Sequence, residues 1–518
     1  MPRCLGDVGK GLSRQRIAVP ECLPEERSFV LDTFVAMRKR CGAIFLPGML
    51  CALCSYGQPT WRKAFGAYGQ DEAKAVVLTA GGDIVVAGST GSFGNGSSDA
   101  YLLKVSGAGD LIWSHPIGGP QIDHAEALLE LPDGHLVFAG FSNGGGNGGY
   151  DGWLVKTDAD GQVVWNRYYG GANWDLLYDI DTAANGGFYL TGVTYSEGAG
   201  AADGWILRVD AEGEPVWTRA VGGPFDEELF SGDATSDGGI AVAGSTSSAG
   251  LQRDVYVCKI DAAGSTEWER SFGTDSVEFA SDILQTVDGR YSVVGTSRYW
   301  TIYNEHLNVM FTPAGDVQWT QHWGQLDDQE AYDQLQLPTG KLYTVGYTET
   351  TGAGAKDMFI FKCDPDIGFY EDQDSFGGED VDVAYAVVAA PDGFIFAGKT
   401  SSFGSGGDDV VIVRTDSVCG PAYQDFGEVF DPVGVAEGPR STGPVFFPNP
   451  ATGFCRLPFN AQLASVRILD MQGRIVREWT QHVPQELDLR GLTDGAYQFV
   501  TLSRERIRAS QPLIISGN

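Results

Sequence analysis

Carboxylates recur along this chain at a fixed stride. Asp71, Asp123, Asp175, Glu227 and Glu278 each stand seventeen residues before a glycine that ends a short apolar run, and Gln329 takes that place in the next copy. Asp382 is the seventh of the series, one residue out of step. Carboxylate oxygens ringing the mouth of a channel would focus negative potential and suit a hard cation, so calcium is the candidate ion and Asp71, Asp123, Asp175, Glu227, Glu278 and Asp382 its candidate ligands. The same side chains also accept backbone N–H bonds in loops, and their repetition fits that structural use, because a catalytic centre usually breaks symmetry. Departures from the repeat are the better pointers to function. The stretch "SRYWTIYNEHLNVMF" puts Tyr299, Trp300, Tyr303 and His306 in a loop where other copies carry Gly and Ser. Exposed aromatic rings there would stack on a glycan or a peptide; packed rings would rest on the neighbouring repeat. His124, beside Asp123, reads as a rim residue rather than a base.

No catalytic residue is assigned. The hydrolase patterns G-x-S-x-G and H-E-x-x-H and the Walker loop are missing, and the glycine-rich "SNGGGNGGYDG" joins strands with no helix to receive a phosphate. Paired carboxylates arise by chance in so acidic a chain and do not define a glycosidase.

The elements that must position these residues are short strands. "DGWLVKTDADGQVVW" at 151–165 returns almost unchanged as "DGWILRVDAEGEPVW" at 203–217. Aligned on a strand ending in glycine, the chain shows Gly88, Gly140, Gly192, Gly244, Gly295, Gly346 and Gly398, at spacings of 51 or 52. A second anchor follows ten or eleven residues later at Asp99, Asp151, Asp203, Asp254, His306, Asp357 and Asp409. A third is Trp61, Trp113, Trp165, Trp217, Trp268, Trp319 and Tyr370, each Trp followed five positions on by a glycine. Three anchors agree on seven copies, and a period near 50 built from four strands predicts a β-propeller. In the second copy the strands are expected at 126–132, 135–141, 152–158 and 162–169, with Asp133-Gly134 and Asp160-Gly161 in hairpin turns. The tryptophans are expected to pack between blades. Trp61 has no complete copy before it and the seventh copy lacks a Trp after it, so strand 59–66 is expected to pair with 409–416 and close the ring. The competing closure uses "YQDFG" at 423–427.

With 518 residues the chain has length for more than one domain, and its net charge of −33 disfavours nucleic acid as a partner. Met37-Arg38-Lys39-Arg40, the apolar "CGAIFLPGMLCALC" and then "SYGQ" follow the order of a secretory signal peptide, with an apolar run too short to span a bilayer. Residues 1–36 are read as a mis-assigned extension, 37–57 as the signal peptide, 58–419 as the propeller, 420–443 as a linker and 444–518 as a second domain. The mature chain is expected to contain no transmembrane segment. Five of the nine cysteines fall in the leader region, so the Cys51/Cys54 pair is not a metal or redox motif. Cys258, Cys363, Cys419 and Cys455 remain, as buried thiols or with a bridge such as Cys363 to Cys419.

The stretch from 59 to 419 resembles a widespread class of bacterial secreted propeller repeats, on the strength of "DGWLVKTDADGQVVW" and "ATSDGGIAVAGST". That resemblance implies a fold and is nearly silent on function. The C-terminal region resembles the type IX secretion system sorting domain. It opens on Pro448, Asn449 and Pro450, continues through "VRILDMQGRIVREW" with Gly473 and Arg474, and reaches "LDLRGLTDGAYQFV" with Gly495 and Tyr497. The resemblance implies a small β-sandwich read by an outer-membrane translocon and removed by a sortase, as the passenger is anchored to the outer surface of a Gram-negative bacterium or released. The fold expectation is therefore all-β, a seven-bladed propeller followed by a sorting sandwich. The functional expectation is a secreted, surface-anchored, non-catalytic binding or adhesion protein for a glycan or protein. The alternatives are a glycoside hydrolase or polysaccharide lyase, and a purely structural surface protein.

Overall fold

The computed structural model describes residues 61–416, apart from 185, 251, 299–302, 325–326, 353 and 405. In the C-terminal region it describes 454–456, 465–469, 475–480, 486–492, 495–503 and 506–515. The signal-peptide region, the 423–427 segment, Cys419, and the sorting-motif positions Pro448, Asn449, Pro450, Gly473 and Arg474 lie outside the described residues. Among the described residues every regular element is a strand, and no helix is long and apolar enough to cross a membrane.

Seven antiparallel four-stranded sheets follow one another from Trp61 to Asp416. In the second sheet the strands are Asp123–Glu130, Leu136–Ser142, Asp151–Thr157 and Val163–Tyr169. The inner strand starts three residues earlier than its apolar run suggests, because the Asp123 N–H already donates to the Ser98 carbonyl at 3.0 Å. The last sheet takes its outer strand from the other end: Trp61–Phe65 pairs with Asp409–Asp416, Trp61 opposite Arg414 and Phe65 opposite Val410. The ring is closed by the strand that carries the unmatched tryptophan.

Seven buried apolar clusters lie between successive blades. One of them joins Trp61, Phe65 and Val410 of the closing blade to Tyr101 and Leu103 of the first. Blades bury their faces only against each other, so no single blade is expected to be stable alone.

The repeated Trp and Gly explain one another. Each outer-strand Trp reaches the turn between the third and fourth strands of the next blade. A methyl group on that turn's glycine would meet the indole at 2.6–3.1 Å, from Trp61 on Gly109 and Trp113 on Gly161 to Trp319 on Gly368. The indole N–H donates to a turn carbonyl in several copies, as from Trp61 Nε1 to Gly107 O at 3.1 Å. Tyr370 breaks the series for a structural reason. The blade that follows it has no such hairpin turn, because its outer strand arrives from Trp61.

The C-terminal region forms two antiparallel sheets. Ser465–Leu469 lies between Ile475–Thr480 and Gly495–Ser503, with Arg506–Ile515 outermost, and Phe454–Arg456 pairs with Glu486–Asp488. Val466, Ile468, Leu487, Leu489 and Tyr497 are buried there. In the propeller, Cys258 and Cys363 are buried free thiols, both pushed up to about 12 chiefly by burial.

Candidate functional site

The loops joining one blade's outer strand to the next blade's inner strand share a face with the loops joining second to third strands. Backbone bonds tie the two sets together, such as Asp71 N to Asp408 O at 2.8 Å and Asp175 N to Tyr150 O at 2.7 Å. Both repeated acidic anchors begin strands on this loop face.

The leading carboxylates are buried. Asp175 accepts from Gly171 N and Ser196 Oγ, each at 2.7 Å, and from Thr194 Oγ1. Asp71 and Asp382 repeat this set with Thr90 and Ser92, and with Thr400 and Ser402. Glu227 accepts from Gly223 N and Thr246 Oγ1 at 2.6 Å, Glu278 from Thr274 N and Oγ1, and Asp123 from Gly119 N at 2.8 Å. Asp71, Asp175, Glu227 and Asp382 thereby knot the two loops of their own blade, while Asp123 and Glu278 hold the loop that precedes them. Among the described residues no three His, Cys, Asp or Glu side chains come together as a metal-binding group.

The second anchor needs one correction. The third strand of the fifth blade begins at Glu305, opposite Ser297, where Asp254 faces Thr246 one blade earlier. Glu305 therefore completes a carboxylate series of seven, and His306 is the next residue along the strand rather than a loop residue. It is 1% exposed, against Trp323, Phe359 and Phe361 at ring separations of 5.0–5.7 Å. Burial drives its pKa down to about 3, with His322 adding repulsion, so it is a neutral core ring. Tyr303 is half-buried; Tyr299 and Trp300 lie outside the described residues.

A different acidic set lines the central channel. Every inner strand has a bulge after its third residue. The position beyond it is Ala75, Ala127 and Ala386 in the first, second and seventh blades, but Asp179, Ser231, Asp282 and Asp333 in the third to sixth. An innermost strand has an unpaired edge, and these side chains satisfy the edge of the neighbouring blade. Asp179 accepts from Gly232 N at 2.8 Å, Asp333 from Val387 N at 2.7 Å, and Ser231 Oγ donates to Asp282 at 2.6 Å. Burial pushes Asp179 up to about 8 and Asp333 to about 7, and raises Asp282 well above the carboxylate range; mutual repulsion within the set adds to each. Two residues further on, Asp181 and Asp233 hydrogen-bond to each other and both are raised, mainly by burial. Sequence reasoning missed this set, although comparing copies four residues after the leading carboxylate isolates it.

Two asymmetric features mark the loop face. At the junction of the seventh, first and second blades, a cavity of about 440 Å³ is lined by Glu72, Ser98, His124, Lys399 and Asp408 among others. His124 Nε2 lies 3.0 Å from Ser98 Oγ, its Nδ1 3.7 Å from Glu126, and Lys399 2.9 Å from Asp408. Across the second and third blades, a cavity of about 420 Å³ is lined by Gly149, Ala172, Asn173, Trp174, Tyr195 and Ala201. Tyr150, Trp174 and Tyr195 meet there edge to face, with ring separations of 5.5 and 6.4 Å.

Residues 445–516 match the family described as a secretion system C-terminal sorting domain. No curated protein matches the sequence. Solved structures similar to this chain include a protein of unknown function from Dyadobacter fermentans, 12% identical with a TM-score of 0.39, covering 68% of this chain and 97% of that one. The WD40 domain of Pan2 from Neurospora crassa is 12% identical with a TM-score of 0.43, covering 68% and 91%. The periplasmic gluconolactonase PpgL of Pseudomonas aeruginosa is 13% identical with a TM-score of 0.42, covering 63% and 98%. Fold and tail together define a class: a secreted seven-bladed β-propeller protein that carries a type IX sorting domain. It is a cell-surface protein of Bacteroidetes-type bacteria.

Proposed function

We propose that this protein is a non-catalytic binding or adhesion module whose loop face engages an extracellular glycan or protein. One observation carries the reading. The repeated carboxylates are spent inside the blades, whereas the aromatic rings that break the repeat, Tyr150, Trp174 and Tyr195, gather at a cavity on the loop face. Rings presented by loops on a rigid scaffold are the usual means of anchoring a partner. The fifth-blade loop with Tyr299, Trp300 and Tyr303 is proposed as a second contact region. Residues 444–518 would be read by the translocon and then removed by a sortase. Glycan-array and pull-down measurements on the secreted protein test the binding reading, which fails if no ligand is retained on either. Deleting 444–518 is expected to trap the passenger in the periplasm, and normal surface display of that truncation would refute the sorting role.

A second reading, a polysaccharide-degrading enzyme, is favoured by one specific feature: carboxylates, a His and a Lys converge on the cavity lined by Glu72, His124, Lys399 and Asp408. Breakdown of a polysaccharide that is abolished by Glu72→Gln or His124→Gln would establish it.

A further inference from the structure

Resting on the binding reading, we infer that the cavity across the second and third blades is a saccharide site, and that its ligand is a neutral sugar chain. Three independent departures from the repeat meet there. Tyr150 comes from a loop of the second blade, Trp174 from the link between the blades, and Tyr195 from a loop of the third, and no other copy has an aromatic ring at any of these three positions. Copies of a repeat drift separately, so convergence of all three changes on one cavity marks a site rather than scatter.

The rings are held in place before any ligand arrives. Tyr195 N donates to Trp174 O at 2.8 Å, Asn173 Nδ2 to Tyr195 O at 2.8 Å and Asn173 N to Ser196 Oγ at 3.1 Å. Gly149 is required by close approach, since a Cβ there would lie 2.2 Å from Trp174 Cδ1. Despite this packing Trp174 is 54% exposed. Large aromatic faces offered to solvent suit the C–H faces of sugar rings, and the open, shallow shape of the cavity leaves room for a chain to lie along it.

Polar groups refine the choice. Among the described residues the Asn173 side-chain oxygen and the Trp174 indole N–H have no hydrogen-bond partner, leaving one acceptor and one donor at the cavity for hydroxyl groups. None of the six lining residues is charged, in a chain of net charge −33. An acidic polysaccharide would meet no cation in the lining and a repulsive field around it, since Glu228 and Asp226 together outweigh Arg253 beside Tyr195, and a basic peptide would find no carboxylate in the lining. A neutral polyol fits both conditions.

The test is titration of the secreted protein with neutral gluco-, xylo- and manno-oligosaccharides, alongside oligogalacturonate and an aromatic-poor peptide, read by calorimetry and by tryptophan fluorescence. At least one neutral oligosaccharide is expected to bind, and Trp174→Ala to weaken it at least about tenfold, the loss typical of a central aromatic anchor. Gly149→Ala should weaken it as well, and Phe369→Ala, at an exposed ring in the turn between the third and fourth strands of the sixth blade, should not. Trp174 is exposed, so its variant should keep the parent melting temperature, which separates loss of binding from loss of fold. Saccharide binding that survives Trp174→Ala overturns this site while the binding reading stands. Trp174-dependent binding of oligogalacturonate or peptide, with no neutral sugar, overturns the ligand class. No binding to any array or titrant overturns both.

Discussion

The inner strand of the third blade carries two aspartates four residues apart, and they live under different rules. Asp175 recurs as an acidic or amide residue in every blade, is buried, and receives bonds from loops of its own blade. Asp179 has a counterpart carboxylate only in the fifth and sixth blades, lines the channel, and receives its bond from the edge of the next blade. A residue kept in all copies serves what all copies share, the folding of one blade. A residue kept in some copies serves the ring at one sector, and there it holds a proton at neutral pH that an ordinary carboxylate would release.

The largest expected effect comes from removing a repeated knot. Asp175→Ala should destabilise the propeller by about 3 kcal/mol in urea unfolding, because three donors, the buried Thr194 Oγ1 among them, lose their acceptor. An effect no larger than that of a surface substitution would mean that the repeated carboxylates do not hold the loops. Next, Trp113→Ala should cost about 2 kcal/mol through the lost contact with the Gly161 turn, whereas Tyr370→Ala should cost clearly less because no hairpin turn lies beyond it. Equal losses would break the link between Trp and turn.

The channel set predicts a pH dependence of opposite sign to that of an ion-paired carboxylate. An aspartate raised from 3.8 to about 8, as at Asp179, binds its proton more tightly folded than unfolded. The folded chain then holds more protons than the unfolded one between those two values, so its stability falls as pH rises through that window. Asp333 and Asp233, raised to about 7, act in the same direction. Melting temperature should therefore decline from acidic to mildly alkaline pH, and Asp179→Asn combined with Asp333→Asn should flatten the decline while keeping acceptors for Gly232 and Val387. A profile that rises over this range would contradict the channel assignment. The smallest expected effect is that of calcium. The leading carboxylates already accept two or three bonds each in most blades, so millimolar calcium should leave the melting temperature unchanged; a clear rise would restore a cation to Asp71, Asp123, Asp175, Glu227, Glu278 and Asp382.

Most of the fold was legible because its period is imposed by contacts that are themselves repeated. Trp113 needs Gly161 and Gly118 needs room beside Asp123, so spacing alone recovers seven copies and the role of Trp61. Site residues were legible only in part. Counting eleven from Gly295 lands on His306, but the fifth-blade loop is one residue shorter in register and Glu305 takes the anchor position. The channel aspartates sit in strands whose apolar pattern hides them, since a bulge shifts the alternation by one residue. Tyr150, Trp174 and Tyr195 are far apart in sequence, and only the stacking of blades brings them to one cavity.

The strand that seals the ring also decides which way the molecule looks. Trp61 lies beside Arg414, at the end of its strand remote from the loop face, so the polypeptide enters and leaves the propeller through the same side of one blade. The opposite side, with its loops and exposed rings, is left clear of both connections.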